Sequence, residues 1–341
     1  MLAAVCEKPH EIRLREVDAP TPGPGEVLCR VRACGFCGSD LHIIEGAFPG
    51  VQYPLIPGHE WSGEVAEAGE GVEVFHPGDR IAIEPHASCG RCENCLRGQY
   101  TICLNYGRWP HRHIGYTADG GFAEFCVVPV QCLHLIPDDM GFAEATLVTT
   151  AGTAIMGLER ARVETGDRVL VLGAGPVGML TAQFARFLGA GEVIITDVDE
   201  ARLAMARDCG IDRPVHAERD DLASAVGPGG VDLAAVCAGV PALVNEALGN
   251  LRRGGRLLLL GLSGGRGAEI DTDLVVLENL TVFGSRAEGD RACSRAIRAY
   301  ASGRLSSAAL VTHRFPLGEF CAAYNVFHNR RDGAMKVVVE A

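Results

Sequence analysis

Lysine is almost missing from this sequence. Lys8 and Lys336 are the only two among 31 lysine and arginine residues, and the 43 acidic residues leave a formal net charge of −12. A chain of this balance lacks the basic surface that tracks a phosphate backbone, which speaks against nucleic-acid partners and fits plain solubility. Long apolar runs are missing as well: the stretch 257–262 is far too short to span a bilayer and contains Gly261. The opening residues, Met1 to Lys8, have neither the basic flank nor the apolar core of a secretory signal. A cytoplasmic protein with no membrane partner is expected. Aromatic residues are sparse, yet 341 residues are enough for two domains, each with its own core.

Stable disulfides are a further expected absence, since a reducing compartment disfavours them. The 14 cysteines therefore need another account. Cys29, Cys126 and Cys237 stand alone in apolar stretches and read as small buried hydrophobes. The clustered cysteines do not.

The first 145 or so residues are rich in Gly, Pro and β-branched side chains, with short strand-like runs at 26–31, 63–68 and 80–83. Turn signals such as Pro22-Gly23-Pro24-Gly25 and Pro77-Gly78-Asp79 punctuate them, which predicts a mainly β domain. Beyond Met140 the texture changes. A helical stretch at 142–162 leads into a buried strand at 168–172, and helices then alternate with strands at 192–196, 232–236, 256–260 and 280–283. Strands apolar on both faces in such an alternation imply a parallel sheet covered by helices, an α/β class of fold. The tail from about Arg286 carries a helix at 292–301 and a last strand at 336–339, and is expected to return to the first domain.

Gly173-Ala174-Gly175-Pro176-Val177-Gly178 lies between a predicted strand and a predicted helix. Gly173 permits the tight turn, Gly175 lets the backbone approach a pyrophosphate, and Gly178 lets helix and strand pack closely. The helix N-terminus offers N–H groups to the phosphates, and Pro176, Val177 and Arg202 are grouped with the glycines as cofactor contacts. Asp197 ends the second strand, nineteen residues beyond Gly178. A carboxylate there accepts both ribose hydroxyls of NAD and repels the 2′-phosphate of NADP. Asp199 fits the helix-capping role better, which leaves Asp197 for the ribose.

Cys89-x2-Cys92-x2-Cys95-x7-Cys103 places four thiols in one loop. Four sulfurs can wrap a tetrahedral zinc and leave no position for substrate, so this site should be structural. An iron–sulfur cluster is the rival, but no proline follows the last cysteine and the nucleotide fold favours zinc. A second set is dispersed: Cys37-Gly38-Ser39-Asp40-Leu41-His42, then Gly58-His59-Glu60. A thiolate and an imidazole are a natural zinc pair, and dispersed ligands leave room for an exchangeable position. Taken singly, Cys37, His59 and Glu60 read as a core thiol, a core histidine and a solvated carboxylate.

Together these motifs, with Asp119-Gly120-Gly121-Phe122-Ala123-Glu124 and the ending Lys336-Val337-Val338-Val339, resemble the zinc-containing medium-chain alcohol and polyol dehydrogenases over essentially the whole chain. The resemblance implies a GroES-like catalytic domain over 1–147, joined by 286–341, and a doubly wound Rossmann domain over 148–285. It implies that Cys37 and His59 bind a catalytic zinc with Glu60 as a close, switching ligand, and that Asp40 fixes the tautomer of His59. Ser39 would take the substrate's hydroxyl proton and pass it by way of the ribose to His42, while a hydride moves to NAD. A homodimer or homotetramer is implied as well.

One departure stands out. The family places a further cysteine or glutamate ligand where this sequence has Thr149, whose neutral hydroxyl is a poor zinc ligand. Cys37, His59 and Glu60 with water would complete the shell; otherwise Glu144 serves, or the metal is weak or absent. The loop from Asn105 to His113 carries Arg108, Trp109, His111, Arg112 and His113, either a surface for a hydroxylated or anionic substrate or an ordinary solvated loop. Ser39 and Gly58-His59-Glu60-Trp61-Ser62-Gly63 are closer to polyol, amino-polyol and aminocyclitol enzymes than to ethanol-oxidising ones. A secondary alcohol on a polyol, sugar or cyclitol is the expected substrate, with a threonine-type amino alcohol next. A zinc-free type of double-bond reductase and a non-catalytic NAD or metal sensor are the competing functions. The Cys37/His59 pair and the cysteine lobe speak against the first, and only Thr149 gives the second a foothold.

Overall fold

Alternating burial along the strand Glu26–Gly35 turns Val27, Cys29, Val31 and Ala33 inward, the period-two pattern of a strand covered on one face. This strand organises a seven-stranded sheet. Its neighbours are Glu60–Ala68 and Phe125–Pro129, both antiparallel, and beyond Glu60–Ala68 come Arg80–Ile83 and Leu133–Leu135. On its other side the C-terminal strand Lys336–Glu340 pairs antiparallel, so that Val339 lies opposite Cys34 and Val338 opposite Gly35. The end of the chain is thereby laid against the residues that lead into Cys37. Phe36, Phe122 and Phe320 meet behind that point, with ring centroids 4.5–5.4 Å apart. Each is buried, and burial of such a ring stabilises by about 1.5–3 kcal/mol.

The computed structural model describes residues 1–48, 50–289 and 291–341. They form two compact units: Met1–Thr149 with Gly289–Ile297 and Leu310–Ala341, and Thr150–Glu288 with Arg298–Ala309. The tail is thus divided, since 298–309 goes with the second unit.

The second unit is built on a six-stranded, wholly parallel sheet. Its order is Arg213–His216, Glu192–Asp197, Arg168–Leu172, Val231–Val236, Leu251–Leu259, Thr281–Gly284, with the chain reversing direction across the sheet after the third sequential strand. That reversal opens a crevice at the carboxyl ends of the first and fourth strands, where open α/β sheets bind nucleotides. The sequence did not announce Arg213–His216, a four-residue strand containing Pro214 that is tolerated at the sheet edge. The expected helix at 142–162 is two helices, Phe142–Ala145 and Val148–Arg160. The helix Ala242–Gly249 stops where it does because Leu251 already begins the next strand.

Candidate active site and metal centres

Cys37 precedes the short helix Gly38–Ile44, and Asp40 locks that turn by accepting the Cys37 N–H at 2.8 Å through Oδ2. Its other oxygen, Oδ1, stands 3.4 Å from Nδ1 of His59. A fully buried carboxylate thus holds both expected metal ligands, the support an imidazole ligand needs on its far nitrogen. His59 arrives from Gly58, whose φ of +96° and whose packing, with an added Cβ 2.7 Å from Cys34 Sγ, admit only glycine. Burial works against the charged form of His59, but Asp40 and then Cys37 outweigh it and hold its pKa well above the ordinary histidine value. Glu60 starts the strand Glu60–Ala68.

The donor atoms of Cys37, His59 and Glu60 lie within 4.8 Å of one another. A thiol, an imidazole and a carboxylate converging in this way are the donor set of an open zinc site, and the group fits zinc. Glu144 does not join the cluster. Thr149 is buried, and its hydroxyl donates to the Ile83 carbonyl at 2.9 Å.

Two residues of this site escaped the sequence reading. Lys336, quoted only as part of the terminal motif, is 1% exposed. Its ammonium pairs with Glu60 Oε2 and donates to the Phe36 carbonyl at 3.0 Å. Burial pulls its pKa down, but Glu60 and Cys37 prevail and it is raised. Tyr116 is buried too, and its hydroxyl donates to Ser39 Oγ at 2.7 Å and lies 3.3 Å from His59 Nε2. Ser39 Oγ itself is 3.5 Å from that nitrogen. Burial first, then Cys37 and Asp40, push the Tyr116 phenol well above its ordinary value. The one signal for Lys336 was its rarity, an isolated cation opening an apolar strand. His42 lies in the same helix as Ser39 and is partly exposed.

Cys89, Cys92, Cys95 and Cys103 form a second cluster, with Sγ–Sγ separations of 3.8 Å for Cys89–Cys95, 3.4 Å for Cys92–Cys95 and 3.9 Å for Cys92–Cys103. Sulfurs about 2.3 Å from one tetrahedral zinc stand about 3.8 Å apart. N–H groups also point at them: Leu104 N to Cys92 at 3.4 Å, Asn105 N to Cys103 at 3.4 Å and Asn105 Nδ2 to Cys89 at 3.2 Å. Before any cation binds, the Arg91 backbone and the Asn105 amide draw Cys89 down to about 6, while burial pushes Cys103 up to about 12.

A third grouping, Glu84, His134 and Cys293, is occupied by hydrogen bonds. His134 reaches Glu84 Oε2 at 2.8 Å and Ser294 Oγ at 2.9 Å through its two ring nitrogens, and the Tyr100 hydroxyl donates to Glu84. It ties the cysteine lobe to the sheet.

The loop 105–113 is solvated only at its tip, Gly107 to Trp109. His111 and His113 are buried, as is His86. His113 stacks on His86 at 3.9 Å and on Tyr116 at 3.8 Å, and its Nδ1 meets the Tyr106 hydroxyl at 2.6 Å. Arg112 is spent on Glu26. Arg108 and Trp109 keep open faces, with Trp109 80% exposed.

In the second unit Gly173 turns the chain with φ +102° between the strand Arg168–Leu172 and the helix Pro176–Phe187, for which Gly175 is the N-cap and Pro176 the first residue. A Cβ on Gly178 would stand 1.8 Å from the Gly173 carbonyl oxygen, so this glycine sets the close approach of helix and strand. Val177 follows in the first turn. Asp197 ends its strand and accepts from Ala174 N at 2.8 Å and Asp199 N at 3.0 Å. Asp199 caps the next helix through Ala201 N at 2.8 Å, and Arg202 stands 3.7 Å from Asp197.

Residues 23–138 match the family described as the alcohol dehydrogenase GroES-like domain, and residues 176–302 match the zinc-binding dehydrogenase family. The chain is 31% identical to a sorbitol dehydrogenase of Bacillus subtilis over 99% of its length and 97% of the relative's. It is 35% identical to an L-threonine 3-dehydrogenase of Pyrococcus furiosus, with 92% and 91% covered. A solved Sinorhizobium meliloti protein, described as a zinc-binding dehydrogenase and bound to NADP, superposes with a TM-score of 0.92. It is 33% identical, with 100% and 99% of the two chains covered.

Proposed function

The chain belongs to the zinc-dependent medium-chain alcohol and polyol dehydrogenase family, whose cofactors are zinc and NAD(H), and from that premise we propose that it oxidises a secondary alcohol on a polyol, sugar or cyclitol with NAD. The observation that carries the reading is the convergence of Cys37, His59 and Glu60 with Ser39 beside them. Zinc held there would act as a Lewis acid that favours loss of the alcohol proton, and NAD would accept the hydride.

The residues of this chain supply the rest. Asp40 keeps His59 oriented with Nε2 toward the cluster. Ser39 is the hydroxyl that takes the substrate's proton, and His42, one turn along the same helix, is the proposed exit toward solvent. Lys336 offsets the charge of Glu60, so that this carboxylate is held near the metal position without depending on it. Gly173, Gly175, Pro176, Val177 and Gly178 receive the pyrophosphate, and Asp197, with Arg202 beside it, faces the ribose. Among the described residues no helix is long and apolar enough to cross a membrane, and a cytoplasmic homodimer or homotetramer is part of the proposal.

An amino-alcohol substrate is the second reading, favoured by the 35% identity to the L-threonine enzyme. Initial rates across polyols, cyclitols and L-threonine, each with NAD and with NADP, test both. The expected result is turnover of a polyol or cyclitol with NAD at least about 10-fold faster than with NADP, a difference of about 1.4 kcal/mol from one ribose contact. Asp197→Ala should erase most of that preference. Faster turnover of L-threonine would establish the second reading, and a clear NADP preference would sink the role of Asp197.

A further inference from the structure

His59 turns Nδ1 toward Asp40, which leaves Nε2 for a metal. Two hydroxyls stand beside Nε2, and the nearer is the phenol oxygen of Tyr116 at 3.3 Å, against 3.5 Å for Ser39 Oγ. Two ligand atoms each about 2.0–2.1 Å from a tetrahedral zinc are separated by about 3.3 Å, so this is the spacing of neighbours in one coordination shell. The ring cannot withdraw easily. It stacks on His113 at 3.8 Å with an interplanar angle of 12°, and Phe48 packs edge-on at 4.8 Å. Rotation about its long axis leaves the hydroxyl where it is. Thr149, in the place where the family has its further ligand, directs its hydroxyl at the Ile83 carbonyl.

We propose that Tyr116 is an oxygen ligand of the catalytic metal and fills the position that Thr149 does not. The inference rests on the zinc site proposed above. As a ligand Tyr116 would be ionised, its proton going to solvent with the thiol proton of Cys37, as metal loading requires of such groups. Ser39 Oγ, 2.7 Å away, then becomes the donor to the phenolate oxygen. Because Tyr116 already touches Ser39, the serine is held ready for the proton the substrate loses.

The test compares wild type, Tyr116→Phe and Ser39→Ala by chelator competition for zinc and by the visible spectrum after cobalt(II) is loaded into the catalytic site. Phenylalanine keeps the ring stack and removes only the oxygen. Tyr116→Phe should weaken the catalytic metal about 100-fold or more, at or beyond the upper end of the 10–100-fold effects of supporting residues, and should change the cobalt spectrum. Ser39→Ala removes only a donor to that oxygen and should change affinity and spectrum less than Tyr116→Phe does. An unchanged affinity and spectrum in Tyr116→Phe overturns the proposal. Retention of the lobe zinc and of NAD binding shows that the variant is folded. If it is not, zinc added to chelated wild type must give the ultraviolet difference band of an ionised tyrosine, and its absence overturns the proposal equally. A wild type that binds metal only in the cysteine lobe would instead contradict the function proposed above.

Discussion

Lys336→Met is expected to destabilise the catalytic unit by about 3–5 kcal/mol in metal-free protein, the usual cost of removing one partner of a buried ion pair. Lys336 and Glu60 are 1% and 3% exposed. Water therefore cannot replace the ammonium, and the carboxylate would have to protonate or drag its strand outward. The metal changes the size of the effect in a defined direction. A divalent cation beside Glu60 supplies positive charge of its own, so the loss should shrink when zinc is bound. A further variant separates charge from packing: Lys336→Met with Glu60→Gln removes both charges and should recover most of the stability, as neutral replacements of buried pairs do. Urea midpoints for the catalytic unit, with and without chelator, measure all of this. A loss below about 1 kcal/mol in Lys336→Met would mean that the pair has the weight of a surface salt bridge.

Cys92→Ser should unfold the cysteine lobe while sparing the nucleotide-binding unit. Apart from the Tyr100 hydroxyl that ties it to Glu84, the lobe has little else to hold it. Its helix Glu93–Leu96 buries no residue, and Leu96, Ile102 and Leu104 are exposed at 74%, 41% and 64%. A segment that buries so little apolar surface cannot offset its own ordering entropy. Structural zinc supplies about 10–16 kcal/mol of apparent binding energy in small zinc modules, and binding there is folding energy. Cys92 is central, since its sulfur approaches those of both Cys95 and Cys103. Serine at that position does not ionise to a soft ligand. The variant should therefore lose one zinc per chain, and limited proteolysis should cut within residues 89–104. NAD binding should survive, because Gly173, Gly178 and Asp197 belong to the other unit. A variant that keeps both ions and resists protease would refute this view of the lobe.

What could be read in the sequence was what is local in the chain. The four-cysteine spacing, the Gly173 fingerprint and the Cys37 and Gly58-His59-Glu60 stretches announce themselves because their chemistry is set by neighbours a few residues away. The parallel sheet was legible from its apolar strands, apart from Arg213–His216, where arginine, proline and histidine disguise a short edge strand. Lys336 and Tyr116 were not legible. Lys336 reaches Glu60 across 276 residues, and Tyr116 reaches His59 across 57. Only strand pairing and loop closure bring them together. The histidines of the 105–113 loop misled for the opposite reason: a polar, aromatic stretch between two motifs has the composition of a surface loop. In the fold His86, His113 and Tyr116 stack into a buried ladder that ends beside His59.

The most direct test of the whole account is to count zinc and follow NADH formation from a polyol panel while metal is stripped and returned. The account predicts two zinc ions per chain, one for each of the Cys37 and Cys89 clusters. Mild chelation should remove the ion at Cys37, His59 and Glu60 first, abolish NADH formation and leave the lobe ion in place, and added zinc should restore the rate. Undiminished turnover with a single zinc per chain, held in the lobe, would contradict it.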